Sequence, residues 1–397
     1  MYPIRNGAIA DQKALHYFIK LVYKSIARPG YPTALLLASS SRWTRPQIEL
    51  LTQYVFETIR VPGFSLVPSG LAAAFAFALQ DALVIDIGHG KTEITPVLEF
   101  AVVSQAQKVI DYGSSNINLE LSKLLPELTV QQIEDLKKSP IYEVLSEDDT
   151  KNSWFGQQET NRSTEEDGVI DVAAIVASGR TREILAERER QKANPTDQPE
   201  QSNIDREFNT FTDSNGKSIE IGKQRFHGTE ALIEQITLEV GKVVQKIDQV
   251  NRRQDLWDNL VILGRGSSVK GFKDALVSSL NTRYLINRPT TYSELPSTFN
   301  TGHNTPLGGT PMYNGGGGNS LHLAQAHQGH GQSPTSVRPA KMPEYFPDWK
   351  GRGWEDAAFL GIEIAARPIF TGSVENTFVS KNDYNEVGPT AIWDIGI

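Results

Sequence analysis

Short apolar runs alternate with amphipathic stretches through the first part of the chain. Over 12–25, Leu15, Phe18, Ile19, Val22 and Tyr23 recur at helical spacing and predict an amphipathic helix. TALLLAS at 33–39 predicts a central strand. PQIELLTQYVFETIR predicts a helix with Pro46 in its first turn, where a missing N–H costs little. Residues 61–68 predict a short strand between breakers, and 69–79 a helix whose small residues suit close packing. LVIDIGHGKTEITPVLEF at 83–100 then begins with an apolar run expected of a strand buried on both faces. An aspartate, two glycines spaced by one residue, and a second extended stretch complete a strand–turn–strand. This alternation predicts an α/β protein with a mostly parallel sheet.

Further on, 116–125 and 129–137 read as helices. DSNG at 213–216 is a turn signal between extended FNTFT and KSIEIG. A long helix over 231–250 leads to the strand LVIL at 260–263, a glycine turn, and a helix over 271–280. The pattern lapses near 146–168 and 193–205, which are polar and predicted to be disordered insertions. Between them, 170–191 reads as a helix with a charged, solvated face. Residues 296–340, rich in Gly, Ser, Thr, Pro, Gln and His, are predicted to be a third, low-complexity disordered insertion. Order is expected again from Tyr345 to the end.

Composition sharpens the class. With 397 residues, 39% of them hydrophobic, the chain has material for a sizeable core and more than one lobe. A net charge of −8 argues against nucleic-acid binding through bulk charge. The absence of cysteine excludes disulfide and thiolate chemistry. No run of 18 apolar residues and no signal-peptide core is found, so a soluble intracellular chain is expected.

The candidate chemistry sits in the turns. Glycines in Asp86-x-Gly88-x-Gly90 can take φ > 0 and let a ligand approach the backbone. Successive N–H groups there can form an anion nest, and the aspartate can hold a metal through water. An ordinary hairpin is the plain alternative. Gly264, ending the second apolar strand, can likewise face a nucleotide or simply turn the chain into a helix. His303, His322, His327 and His330 match no defined ligand spacing, and no metal site is assigned.

Several stretches resemble a known family in order along the chain. YPIRNGAIAD, LTQYVFETIRVPGFSLVPSGLAAAFA, LVIDIGHGKTEITPV, GKSIEIGKQRFHGTEAL, NLVILGRGSSVKGF and FVSKNDYNEVGPTAIW are similar to successive actin segments. LLPELTVQQIEDLKKSPIYEVLS, SGRTREILAERERQ, REFNTF, YFPDWK and GPTAIWD resemble one branch of the actin-related proteins, the fungal actin-related protein 9 group. That branch supplies subunits of the SWI/SNF and RSC chromatin-remodelling complexes. The resemblance implies a two-lobed actin-like (ribonuclease H-like doubled) fold, N-terminally incomplete here because the family's first phosphate hairpin and cleft lid are missing. It implies a first subdomain from 1–76 with 341–397, a third from 77–112 with 232–295, and a fourth from 113–231. The tail should then pack 359–369 near 54–75.

Departures from actin bear on activity. His89 stands where actins carry a second aspartate, Ser69 where a glutamine positions water, Glu93 where a histidine lies, and Arg265 in place of a second glycine. Asp86, Gly88, Gly90 and Gly264 remain as a degenerate nucleotide pocket. Phosphoryl transfer depends on positioning and metal-assisted charge stabilisation, so most catalysis should be lost. The resemblance thus implies a non-enzymatic, nuclear, architectural subunit with no required cofactor and at most weak ATP binding. Its partners would be another actin-related protein, in a heterodimer, and the helix preceding a remodeller's motor. Neither sequence-specific nucleic acid nor membrane is expected as a partner. The alternative is an actin-fold ATP-binding protein or ATPase with weak turnover. The helix would enter a cleft lined by Phe75, Leu360, Ile364 and Pro368, and Leu360→Asp would weaken its capture while thermal unfolding changed little.

Overall fold

The computed structural model describes residues 2–28, 30–145, 202–285, 333–350, 353–371 and 376–396. The helix expected over 170–191, the insertion at 146–168, most of those at 193–205 and 296–340, and the four histidines lie outside the described residues.

Strands β1 (Ile4–Arg5) and β2 (Ala8–Ile9) form a small hairpin that turns through Asn6 and Gly7, both with positive φ. Helix α1 (Gln12–Ile26) follows, its first turn capped by Asp11, whose carboxylate accepts the Ala14 N–H at 2.9 Å. Next come β3 (Leu35–Ser39) and α2 (Arg45–Tyr54), then a π-helical turn through Val55–Ile59, β4 (Gly63–Pro68) and α3 (Ser69–Ala76). Strands β5 (Ala82–Ile87) and β6 (Thr92–Leu98) form the central hairpin, followed by β7 (Ala101–Val102), β8 (Lys108–Ile110), α4 (Ser114–Leu124) and α5 (Val130–Lys138). Beyond the undescribed stretch lie β9 (Asn209–Thr212), β10 (Ser218–Ile221), α6 (Glu230–Gln245), α7 (Arg253–Asp258), β11 (Leu260–Leu263) and α8 (Phe272–Tyr284). The tail carries α9 (Pro347–Lys350), α10 (Ala357–Phe370), β12 (Val379–Ser380) and α11 (Lys381–Val387).

Two sheets organise two lobes. In the first, β4 is central, flanked by parallel β3 and antiparallel β12. Residues 33–39 were expected to be a central strand, yet β3 is an edge of the described sheet. The sequence misleads because β3 is apolar on both sides: Leu35 and Leu37 pack with Phe64 and Val55, while Leu36 meets the cluster around Val67. Hydrogen-bonding neighbours leave no such mark in the pattern. The second sheet runs β11-β5-β6-β7, with β8 also on β6. Among its strands only β11–β5 is parallel, so the mostly parallel sheet expected from alternation is replaced by a mixed one. Its cause is local, since β5 to β8 succeed one another through short turns that only antiparallel strands can use.

Side-chain alternation along β5 assigns the two faces. Leu83, Ile85 and Ile87 join Ile94 under α6 and α4, whereas Ala82 and Val84 join Val97 and Val261 under α3 and α10. Helix α3 touches both sheets, α10 packs along it and against β3, and together they carry the joint between lobes. The C-terminal segment thereby returns to the N-terminal part, with β12 on β4 and the Trp393 indole donating to Glu49 at 2.9 Å.

Two edges of the predicted insertions are ordered. The Leu260 N–H donates to the Arg338 carbonyl at 3.0 Å, the Ala340 N–H donates to the Leu260 carbonyl at 2.7 Å, and Val337 is buried. Residues 338–340 thus dock on the start of β11 through a parallel bridge between Pro339 and Leu260. Their composition matched the preceding polar stretch, but one buried valine and backbone pairing suffice to dock them. Asn203 is similarly held, by Ile141 and Glu143.

Candidate functional site

Parallel pairing of β11 with β5 sets Leu263 opposite Asp86, and therefore Gly264 against the Asp86 carboxylate. Gly264 has φ +86°, and a Cβ there would lie 2.4 Å from Asp86 Oδ1 and 2.5 Å from the Ile87 carbonyl oxygen. Asp86, Gly88 and Gly264 are thus brought together where β5 and β11 end. Gly88 and Gly90 do not have positive φ, contrary to expectation. At Gly90 a Cβ would meet the Asn6 side chain, with Oδ1 at 2.2 Å, so the first hairpin lies close over this turn.

Only one N–H of the expected anion nest is engaged in closing the turn. The Gly88 N–H donates to the Lys91 carbonyl at 2.8 Å. The Gly88 and His89 carbonyls accept the Ser114 and Ser115 N–H groups at 3.0 and 2.7 Å. These bonds commit one N–H and two carbonyls of the turn to its own closure and to the start of α4.

Burial pushes the Asp86 carboxyl above its ordinary range. Lys91 opposes that shift, and the negative charges of Glu93 and Asp356 add to it. Glu93 behaves oppositely: burial works against its ionisation, but the Lys91 charge and hydrogen bonds from Lys91 and Ser41 hold it low. Sequence reasoning singled out Glu93 as a replaced histidine and missed Lys91. Their separation by two residues along an extended stretch, which places both on one face, was the available signal. Of the other departures, His89 is exposed at the turn, Ser69 opens α3, and Arg265 points outward to Asp356 at 3.2 Å.

A raised folded-state pKa gives Asp86 a testable sign. Its favourable contribution is full below its unfolded value of 3.8 and is lost as pH rises through the folded value. Asp86→Asn should therefore melt at a higher temperature than the parent at pH 7, with the difference closing toward pH 4. Melting curves across that range decide it, and a parent protein at least as stable at pH 7 would refute the assignment.

The expected partner cleft is redistributed. A cavity of about 620 Å³ is lined by Tyr345, Phe346, Trp349, Leu360, Ile364 and Arg367, among others. Leu360 and Ile364 meet there, one helical turn apart. Phe75 instead packs against Phe100, ring centroids 5.7 Å apart, and neither it nor Pro368 lines this cavity. Leu360 is 3% exposed and belongs to the core between the lobes, while Ile364 is 36% exposed. Leu360→Asp would bury a charge, so the expectation that it spares thermal stability is withdrawn. Ile364 is the wall residue able to test the cleft.

Among the described residues, no group of three or more acidic or histidine side chains could hold a metal, and no helix is long and apolar enough to cross a membrane.

Comparison with known proteins agrees with this architecture. The actin family's sequence model matches residues 1–298. The SWI/SNF and RSC complexes subunit arp9 of Schizosaccharomyces pombe is 29% identical over 429 aligned residues, covering 98% of this chain and 78% of that protein. Actin-related protein 7 of Arabidopsis thaliana is 24% identical, covering 98% of this chain and 83% of that protein. Actin-related protein 3 of Drosophila melanogaster is 30% identical over a shorter stretch, 32% of this chain and 33% of that protein. With a family match over most of its length and two lobes hinged on α3 and α10, the chain belongs to the actin family.

Proposed function

We propose that this chain is a non-catalytic architectural subunit of a SWI/SNF- and RSC-type chromatin-remodelling complex. It pairs with another actin-related protein on the helix preceding the remodeller's motor, and it acts in the nucleus to support transcription regulation. The carrying observation is similarity to S. pombe arp9 along 98% of the chain. The departures at Ser69, His89, Glu93 and Arg265 support the non-enzymatic part, because catalysis of phosphoryl transfer needs groups positioned around the phosphate.

Ile364 on α10 and the aromatic segment Tyr345–Trp349 make the cavity a fitting receptor for an apolar anchor of that helix. Helix-in-groove recognition concentrates affinity in a few such anchors. The test is co-elution of the chain with its partner actin-related protein and a peptide spanning the helix. A stable ternary complex is expected, and its absence would overturn the reading. Ile364→Asp should weaken the peptide by about 1–3 kcal/mol with an unchanged melting temperature, whereas Leu360→Asp should lose both binding and fold. Undiminished capture by Ile364→Asp would count against the cavity.

A second reading, an actin-fold protein with weak nucleotide turnover, draws on Asp86 standing beside Gly264. Turnover by the parent protein that disappears in Asp86→Ala would favour it.

A further inference from the structure

A buried side-chain cluster crosses the cleft between the lobes. The Lys91 ammonium pairs with Glu93 Oε2 and donates to Ser40 Oγ at 3.2 Å. The Lys91 side chain is 13% exposed and that of Glu93 2%. Glu93 also accepts the Ser41 N–H at 3.3 Å, the Ser40 hydroxyl at 3.4 Å and the Gln107 side-chain amide at 3.0 Å. Ser40 and Ser41 follow β3 in the first lobe, and Lys91, Glu93 and Gln107 belong to the second. The Asn6–Gly7 turn closes over the same point, for a Cβ on Gly7 would lie 2.7 Å from Lys91 Cε and 2.8 Å from its Nζ. At the rim, Arg42 reaches across to Asp111 at 2.7 Å.

Each charge in this cluster requires the other. A lone ammonium or carboxylate this far from water is costly, and removing one partner strands its mate. An oligophosphate at the Asp86 turn would set its own negative charge beside both Asp86 and Glu93, whose charges already act on one another. We infer that the Lys91–Glu93 pair is a latch that stands in for a metal-bound nucleotide, the tethered ammonium taking the cation's part and fastening the lobes without any ligand. Lys91 is its positioning cation, Glu93 the counter-charge, and Ser40 and Ser41 the catch on the opposite lobe. Nothing in this device depends on the proposed assembly partners.

The absence of cysteine permits a direct test on the full chain. Spin labels on Lys24→Cys in α1 and Lys123→Cys in α4, both exposed, report the distance between lobes. A narrow distance distribution, unmoved by saturating magnesium–ATP, is expected for the parent. Lys91→Met and Glu93→Gln should each broaden and lengthen it, and Lys91→Arg should keep it narrow. Magnesium–ATP that shifts the parent's distance or raises its melting temperature would overturn the latch. So would an unchanged distribution in Glu93→Gln, the variant that decides if Lys91→Met does not fold.

Discussion

Arg225→Met is expected to destabilise the protein by roughly 3 kcal/mol or more, the largest effect of any single polar substitution. Arg225 is 0% exposed, yet among the described residues no carboxylate forms an ion pair with it, though the Glu143 charge favours its ionised form. Its guanidinium is satisfied by backbone carbonyls instead: Nη1 donates to Gly222 at 2.7 Å, Glu207 at 3.3 Å and Ile221 at 3.4 Å. Nη2 donates to the carbonyls of Asn203, at 2.7 Å, and Arg206, while Nε reaches Asn203 Oδ1 at 3.0 Å. Methionine matches much of the stem's volume and leaves these acceptors buried without donors, each costing about 1–3 kcal/mol when no water replaces the bond. Even partial relaxation therefore removes a large share of a stability on the order of 5–15 kcal/mol. The anchored residues 203–207 are those that re-enter the second lobe, and Asn203 passes the tie to Glu143, which pairs with Lys270. Arg225→Lys should recover little, since an ammonium cannot reproduce the planar fork. Denaturant midpoints with an unaltered slope would measure the loss. A midpoint for Arg225→Met within error of the parent would show that water takes over the cage.

The same arginine marks what sequence could and could not disclose. QRF at 224–226 lies in a stretch similar to actin, yet nothing in it points to a buried arginine, because a cage of carbonyls is made by backbone and has no residue signature. By contrast, α1, the β5–β6 hairpin and the β9–β10 turn were legible, each depending on local periodicity or turn chemistry. The site was legible in half. Asp86 and Gly264 could be matched to family positions, but their contact arises from the register between β11 and β5, which are far apart in the chain. Lys91 escaped notice because its meaning depends on Ser40 from the other lobe. Leu360 and Ile364 looked equivalent on the helix, and only packing of α10 against α3 separates a core residue from a wall residue.

That packing sets the second large effect. In an exposed helix, replacing glycine by alanine gains about 1 kcal/mol from propensity. At Gly361, in the interior of α10, the sign should reverse. A Cβ there would lie 1.6 Å from the Ala72 carbonyl oxygen, 2.5 Å from its carbon and 3.1 Å from the Ala76 nitrogen. All three are backbone atoms of α3, so no side chain can swing aside. Nor can α3 retreat as a whole, since Ala72, Ala73 and Ala74 are fully buried and Val67, Val84, Val97 and Val261 hold it against both sheets. Gly361→Ala must then push two helices apart, and overpacking of this kind costs roughly 1–3 kcal/mol, more where nothing yields. Because α3 and α10 carry the joint between lobes, the strain should also appear as a changed interlobe distance in the spin-labelled chain. Capture of the partner helix beside Ile364 should weaken with it. A Gly361→Ala protein that melts above the parent, as propensity alone would have it, would show that the helices part freely and that the joint is looser than its packing indicates.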